Sequence, residues 1–195
     1  MARPLLRLTI ARPVPARSHP PRDLAVHSNS LNIMRCLTNS EIHKWLAGQG
    51  MHHQPLECGV PVAGDFPIPV ERRSRLMLAD YLADLLMKDG NKLLEIIPGP
   101  QQQSEDWELL DRFRSGREET RSVLTAPGHL FKSGDRQDFR SLLSQLLGGR
   151  DGWSFYLYSA PSHTTLRIHN RIEVWSPKKG LRNELGRHLE TPQAA

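Results

Sequence analysis

Residues 153–175, WSFYLYSAPSHTTLRIHNRIEVW, decide the fold class. Trp153, Phe155 and Leu157 alternate with Ser154, Tyr156 and Tyr158; Leu166 and Ile168 share one side of the next run, and Ile172 and Val174 one side of the last. Side chains of a strand point alternately to its two faces, so a period of two marks three half-buried strands. The gaps Ala160–His163 and Asn170-Arg171 are short, and Asn tolerates positive φ. The stretch is therefore read as a three-strand antiparallel meander.

Upstream of it the apolar period is 3.6. Thr38-Asn39-Ser40-Glu41 has the form of a capping box, with Ile42, Trp45 and Leu46 following at helical spacing and Gly48 and Gly50 as a stop. Leu78, Tyr81, Leu82, Leu85 and Leu86 make a stripe on a second helix over about 70–88. Ser104 opens a third, with Trp107, Leu110 and Phe113 turned inward. Phe139, Leu142, Leu143, Leu146 and Leu147 mark a fourth over about 135–147. Between helices, the proline-interrupted stretch 51–69 reads as extended chain with an edge strand, because proline cannot donate to a central ladder. KLLEII at 92–97 is a short strand, and Ser122–Thr125 a further candidate before the Ala126-Pro127-Gly128 turn.

These elements add up to an α+β fold, with four main helices packed on a small, mainly antiparallel sheet. With the helices on one face, the other face would carry Tyr156, Tyr158, Arg167, Glu173 and Trp175, an aromatic and charged surface suited to binding.

Composition changes at Met34. Residues 1–33 hold five Arg, five Pro, no Lys and one acid, Asp23, so +4 of the net charge of +5 lies there and only +1 in the rest. Residues 1–33 read as an Arg/Pro-rich leader, either a flexible tail, a transit-type peptide or a stretch outside the natural protein; the closeness of the Thr38 cap to Met34 favours Met34 as the initiator. Residues 34–176 form a single α+β domain, and 177–195 a charged tail in which Leu181, Leu185 and Leu189 allow a short helix. A nearly neutral body lacks the unopposed cations that counterion release from nucleic acid requires, so nucleic-acid binding is expected only through the leader. No apolar run approaches the ~20 residues of a membrane span. Cys36 and Cys58 are too few for a disulfide framework and read as reduced thiols of a cytoplasmic protein.

No complete catalytic set is present. His52, His53 and Cys58, or His163 and His169, lack the paired short spacings of a zinc site, so no metal is expected. Phosphate-cradling glycine motifs and G-x-S-x-G are missing, and no cofactor is expected. The densest cluster of reactive types is 112–131. There Arg117 and Arg121 offer forks for an oxyanion, and Glu119 and His129 are the candidate catalytic pair. Alternating charges at a helix end are also an ordinary solvated surface.

The leading expectation is a small protein-interaction module with an unidentified protein partner, binding through Arg117, Arg121, Tyr156 and Tyr158. The rivals are a hydrolase or nuclease acting on a phosphorylated substrate and weak nucleic-acid binding through the leader.

Overall fold

The structure, a computed structural model, describes residues 34–99, 104–149 and 153–190. The leader 1–33 lies outside the described residues. The strands are β1 (Arg35–Leu37), β2 (Gly64–Pro67), β3 (Lys92–Ile97), β4 (Gly128–Phe131), β5 (Ser154–Ser159), β6 (Thr164–Ile168) and β7 (Arg171–Trp175). The helices are α1 (Asn39–Gly48), α2 (Arg72–Leu86), α3 (Ser104–Ser115), α4 (Arg136–Gly148) and α5 (Lys179–Glu190). All seven strands join one antiparallel sheet in the order β1-β4-β3-β5-β6-β7-β2. The α+β class and the β5–β6–β7 meander are as the alternation predicts. Among the described residues no helix is long and apolar enough to cross a membrane.

Where the sequence carries a complete local signal, the structure follows it. Thr38 caps α1 by a reciprocal box: its hydroxyl accepts from the Glu41 N–H, and the Glu41 carboxyl accepts from the Thr38 N–H at 2.9 Å. Such a cap is worth about 1 kcal/mol. The α2 and α4 stripes pack on each other, with Leu78, Leu82, Phe139, Leu142 and Leu143 fully buried. Against them lie Leu94, Ile96, Phe155, Leu157, Leu166, Ile168, Ile172 and Val174 from one sheet face, with α3 and α5 contributing Leu110, Phe113 and Leu185.

Three features depart from the sequence reading. Met34 to Leu37 is no mere lead-in to α1: β1 pairs with β4, and Met34, Cys36 and Leu37 are buried. The strand expected at Ser122–Thr125 lies instead at Gly128–Phe131. Residues 122–125 are a turn, and the buried Arg114 guanidinium fixes its ends by donating to the carbonyls of Arg121 (2.9 Å) and Ala126 (3.0 Å). The third departure concerns the second sheet face, which is not open. Helix α1 packs there, and Leu37, Ile42, Leu46, Leu93, Tyr156, Tyr158 and Trp175 form a second core. The contact is close: a Cβ added to Gly128 would come within 2.9 Å of the Ile42 side chain and 3.0 Å of the Leu37 Cβ. The sheet thus lies between α1 on one side and the other four helices on the other.

Candidate functional site

The chain between α1 and β2 continues the cover of the second face. It leaves α1 through Gln49 and Gly50, makes tight turns over 54–60, and enters β2 after the Ala63 N–H donates to the Val174 carbonyl at 2.8 Å. A buried polar cluster holds its middle to the sheet. Glu95, in central strand β3, is only 2% exposed. One carboxyl oxygen accepts from the Tyr158 hydroxyl at 2.8 Å. The other meets His53 Nε2 at 2.8 Å and the Gln54 side-chain amide at 3.1 Å. The Gln54 N–H donates in turn to the Tyr158 oxygen at 3.2 Å. Burial first, and the Glu95 charge second, push the Tyr158 hydroxyl far above its ordinary range, so it stays a donor. A buried carboxyl is tolerable only with its lone pairs engaged, and here three groups engage them.

This cluster positions an aromatic row. Tyr158 stacks on Tyr156 at 5.8 Å between ring centroids, and Tyr156 lies 6.4 Å from Trp175 at a tilted angle. The Trp175 indole N–H donates to the Val60 carbonyl at 2.9 Å, which fixes the ring beneath the 50–63 segment. At the edge of Trp175 opens a cleft of about 300 Å³. Met51, Pro55, Val60, Pro61 and Pro177 give it apolar walls, and His52, His163, Thr165 and Ser176 supply its polar groups. Of the three non-glycine residues with left-handed backbone among those described, His163 (φ 46°) lines it and Gln54 (φ 43°) directly precedes its wall residue Pro55. Such residues cost of order 1–3 kcal/mol each and persist where the surrounding packing holds them. The volume suits one side chain or a small fragment, at the lower end of ligand pockets.

Nearby polar groups are spent on structure. The His43 and His53 rings lie 4.0 Å apart at a tilt, and exposed Cys58 donates its S–H to the His53 carbonyl at 3.3 Å. No described group of three or more His, Cys, Asp or Glu side chains is placed to hold a metal ion.

The structure divides the residues singled out in 112–131. Glu119 and Arg121 form a two-point pair, with Arg121 Nε and a terminal nitrogen donating to the two carboxyl oxygens at 2.9 and 2.7 Å. Hydrogen bonding to Arg121 pulls the Glu119 carboxyl down to about 2. Arg121 also donates to the Cys36 carbonyl at 3.0 Å, which ties this loop to β1. Burial pushes the adjacent Cys36 thiol up to about 12. His129 lies on β4 opposite Cys36 and Leu94, fully buried. Neither ring nitrogen has a hydrogen bond of good geometry, although the Pro127 and Leu94 carbonyls pull its pKa slightly upward. Burial, and next the charge of Arg114, push it down to about 3, so the ring is neutral. Arg117 turns away, pairing with Asp138 of α4 and lying 3.7 Å above the Phe113 ring. Glu119, Arg121, Cys36 and His129 are therefore brought together at the β1–β4 edge, and Arg117 is not. Tyr156 and Tyr158, expected on an open face, are 2% and 1% exposed.

Sequence reasoning missed Glu95, weighed His53 only as a metal ligand, and read 51–69 as extended chain without its role as a cover. One signal was present: Glu95 is a charge inside the apolar run KLLEII, and a charge in a buried strand needs partners from elsewhere.

No family model matches the chain, and neither a curated protein nor a solved structure is significantly similar to it.

Proposed function

We propose that this protein is a cytoplasmic protein-interaction module that receives one apolar side chain of a partner peptide in the Trp175 cleft. The observation that carries the reading is the cleft's build: an indole fixed by its own hydrogen bond, walls of Met, Val and Pro, and only neutral hydroxyls and two histidines around them. Such a lining rewards burial of an apolar group and leaves the histidines and the Thr165 hydroxyl to meet the peptide backbone. Tyr156 and Tyr158 serve the site from below, as supports of Trp175 rather than as contacts. The rival hydrolase or nuclease reading would need substrate to reach His129, and full burial of that ring weighs against it.

The test is selection of random displayed peptides on the folded protein. Enriched sequences sharing a single hydrophobic anchor, whose binding is lost in Met51→Glu, support the proposal. Peptides that bind Met51→Glu as well as wild type, or a library that yields no binders, overturn it.

A further inference from the structure

A second cavity, of about 380 Å³, opens on the helical side of the sheet, between the end of α2 and the start of α5. Lys92 and Ser159 line it as directly opposed residues of β3 and β5. Opposed side chains of an antiparallel pair stand about 5 Å apart at Cβ. Lys92 is 2% exposed. Its ammonium donates to the carbonyls of Asp89 and Gly90 and, among the described residues, makes no hydrogen bond to a carboxylate, so at least one of its three N–H groups is left over. The Ser159 and Ser162 hydroxyls share a hydrogen bond at 2.7 Å, and Ser162 also reaches the Ser159 carbonyl at 3.4 Å, so Ser159 donates either to Ser162 or, by rotation of its hydroxyl, into the cavity. One leftover N–H on a buried cation and one hydroxyl able to redirect its proton therefore line the same cavity. Two exposed lysines, Lys88 and Lys178, stand at its mouth, opposed by Asp89 and Glu184.

The turn that presents Lys92 is built for the purpose of close packing. Gly90 has φ 56°, and a Cβ there would meet the Pro161 ring at 2.6 Å. Only glycine lets the Asp89-Gly90 carbonyls and the Ala160–Ser162 turn approach each other around the cavity.

We propose that this cavity binds a phosphate-class oxyanion, either inorganic phosphate or the phosphate of a small phosphomonoester, with Lys92 and Ser159 donating to it. A leftover buried donor is costly until an acceptor meets it, and an anion adds to the partial charge compensation that Asp89 gives Lys92. Burial holds the Lys92 amine down at about 8, and the nearby Asp89 charge offsets that only in part.

The test is calorimetric titration of the full chain with inorganic phosphate and, separately, with glycerol phosphate, using acetate as a comparison. Saturable one-site binding of phosphate is expected, weakened about tenfold or more in Lys92→Met, the scale of one charge-assisted hydrogen bond. Tighter binding of glycerol phosphate identifies an ester as the occupant, and equal or weaker binding identifies the free anion. Should Lys92→Met not fold, the combined Ser159→Ala and Lys178→Ala variant decides, with weakened phosphate binding expected. Absence of saturable phosphate binding, acetate binding as tight as phosphate, or wild-type affinity in the variant that decides overturns the proposal.

Discussion

Acid should loosen this protein chiefly through His129, before its carboxylates begin to matter. The imidazole is fully buried, its nitrogens lack well-formed hydrogen bonds, and its pKa falls from 6.5 to about 3. Below pH 6.5 the unfolded chain takes up a proton that the folded chain refuses, so the folded state loses ground as pH drops. The loss is about 1.4 kcal/mol per pH unit and continues until pH nears the folded value. Between pH 6.5 and about pH 5 it amounts to 1.5 units, or about 2 kcal/mol. In this window Glu119 stays out of play, since its stabilising contribution is lost only as pH falls from 4.5 towards 2. His188 is also shifted downward by burial and adds loss of the same sign, but it is common to any His129 variant. Urea unfolding followed by tryptophan fluorescence, at about pH 7 and about pH 5, should show the full loss in wild type and about 2 kcal/mol less of it in His129→Leu. At neutral pH the variant should be as stable as wild type or more so, because a polar ring without good partners is replaced by an apolar side chain. An acid loss in His129→Leu equal to that of wild type would refute the reasoning, since the imidazole would then titrate freely in the folded protein.

Three further outcomes are expected. Gly128→Ala should destabilise by about 1–3 kcal/mol, because its methyl group would press on Ile42 and Leu37; an unchanged melting temperature would mean that α1 does not sit on β4 as described. Glu95→Ala should cost about 2–3 kcal/mol by leaving Tyr158, His53 and Gln54 without their acceptor, and should raise amide exchange across 50–63 more than in α4; uniform exchange would show that the cluster does not hold the cover. With a thiol-reactive dye, exposed Cys58 should label in the native protein and buried Cys36 only after denaturant, whereas rapid labelling of both would place Cys36 at the surface.

How much of this was legible in the chain depends on how local each signal is. The Thr38 box, the α2 and α4 stripes and the β5–β7 alternation each complete themselves within one element, and each appears in the structure. Strands β1 and β4, of three and four residues, are too short to display a period, and the turn at 122–125 depends on Arg114, 7 and 12 positions from the two carbonyls it holds. The site followed the same rule. Dense local charge drew attention to 112–131, where Glu119 and Arg121 proved to satisfy each other. The buried cluster that holds the 50–63 segment to the sheet joins Glu95 to His53, 42 positions away, and to Tyr158, 63 positions away.

Sequence by itself determined which side chains share a face of each helix and strand, because 3.6 and 2 are properties of the backbone. It could place Tyr156 and Tyr158 opposite Phe155, but not say whether water or α1 would lie over them. Tertiary packing alone decided that, since burial of a face is a property of what covers it. The same packing turned an isolated glutamate in an apolar run into the fastening that holds the cleft in place.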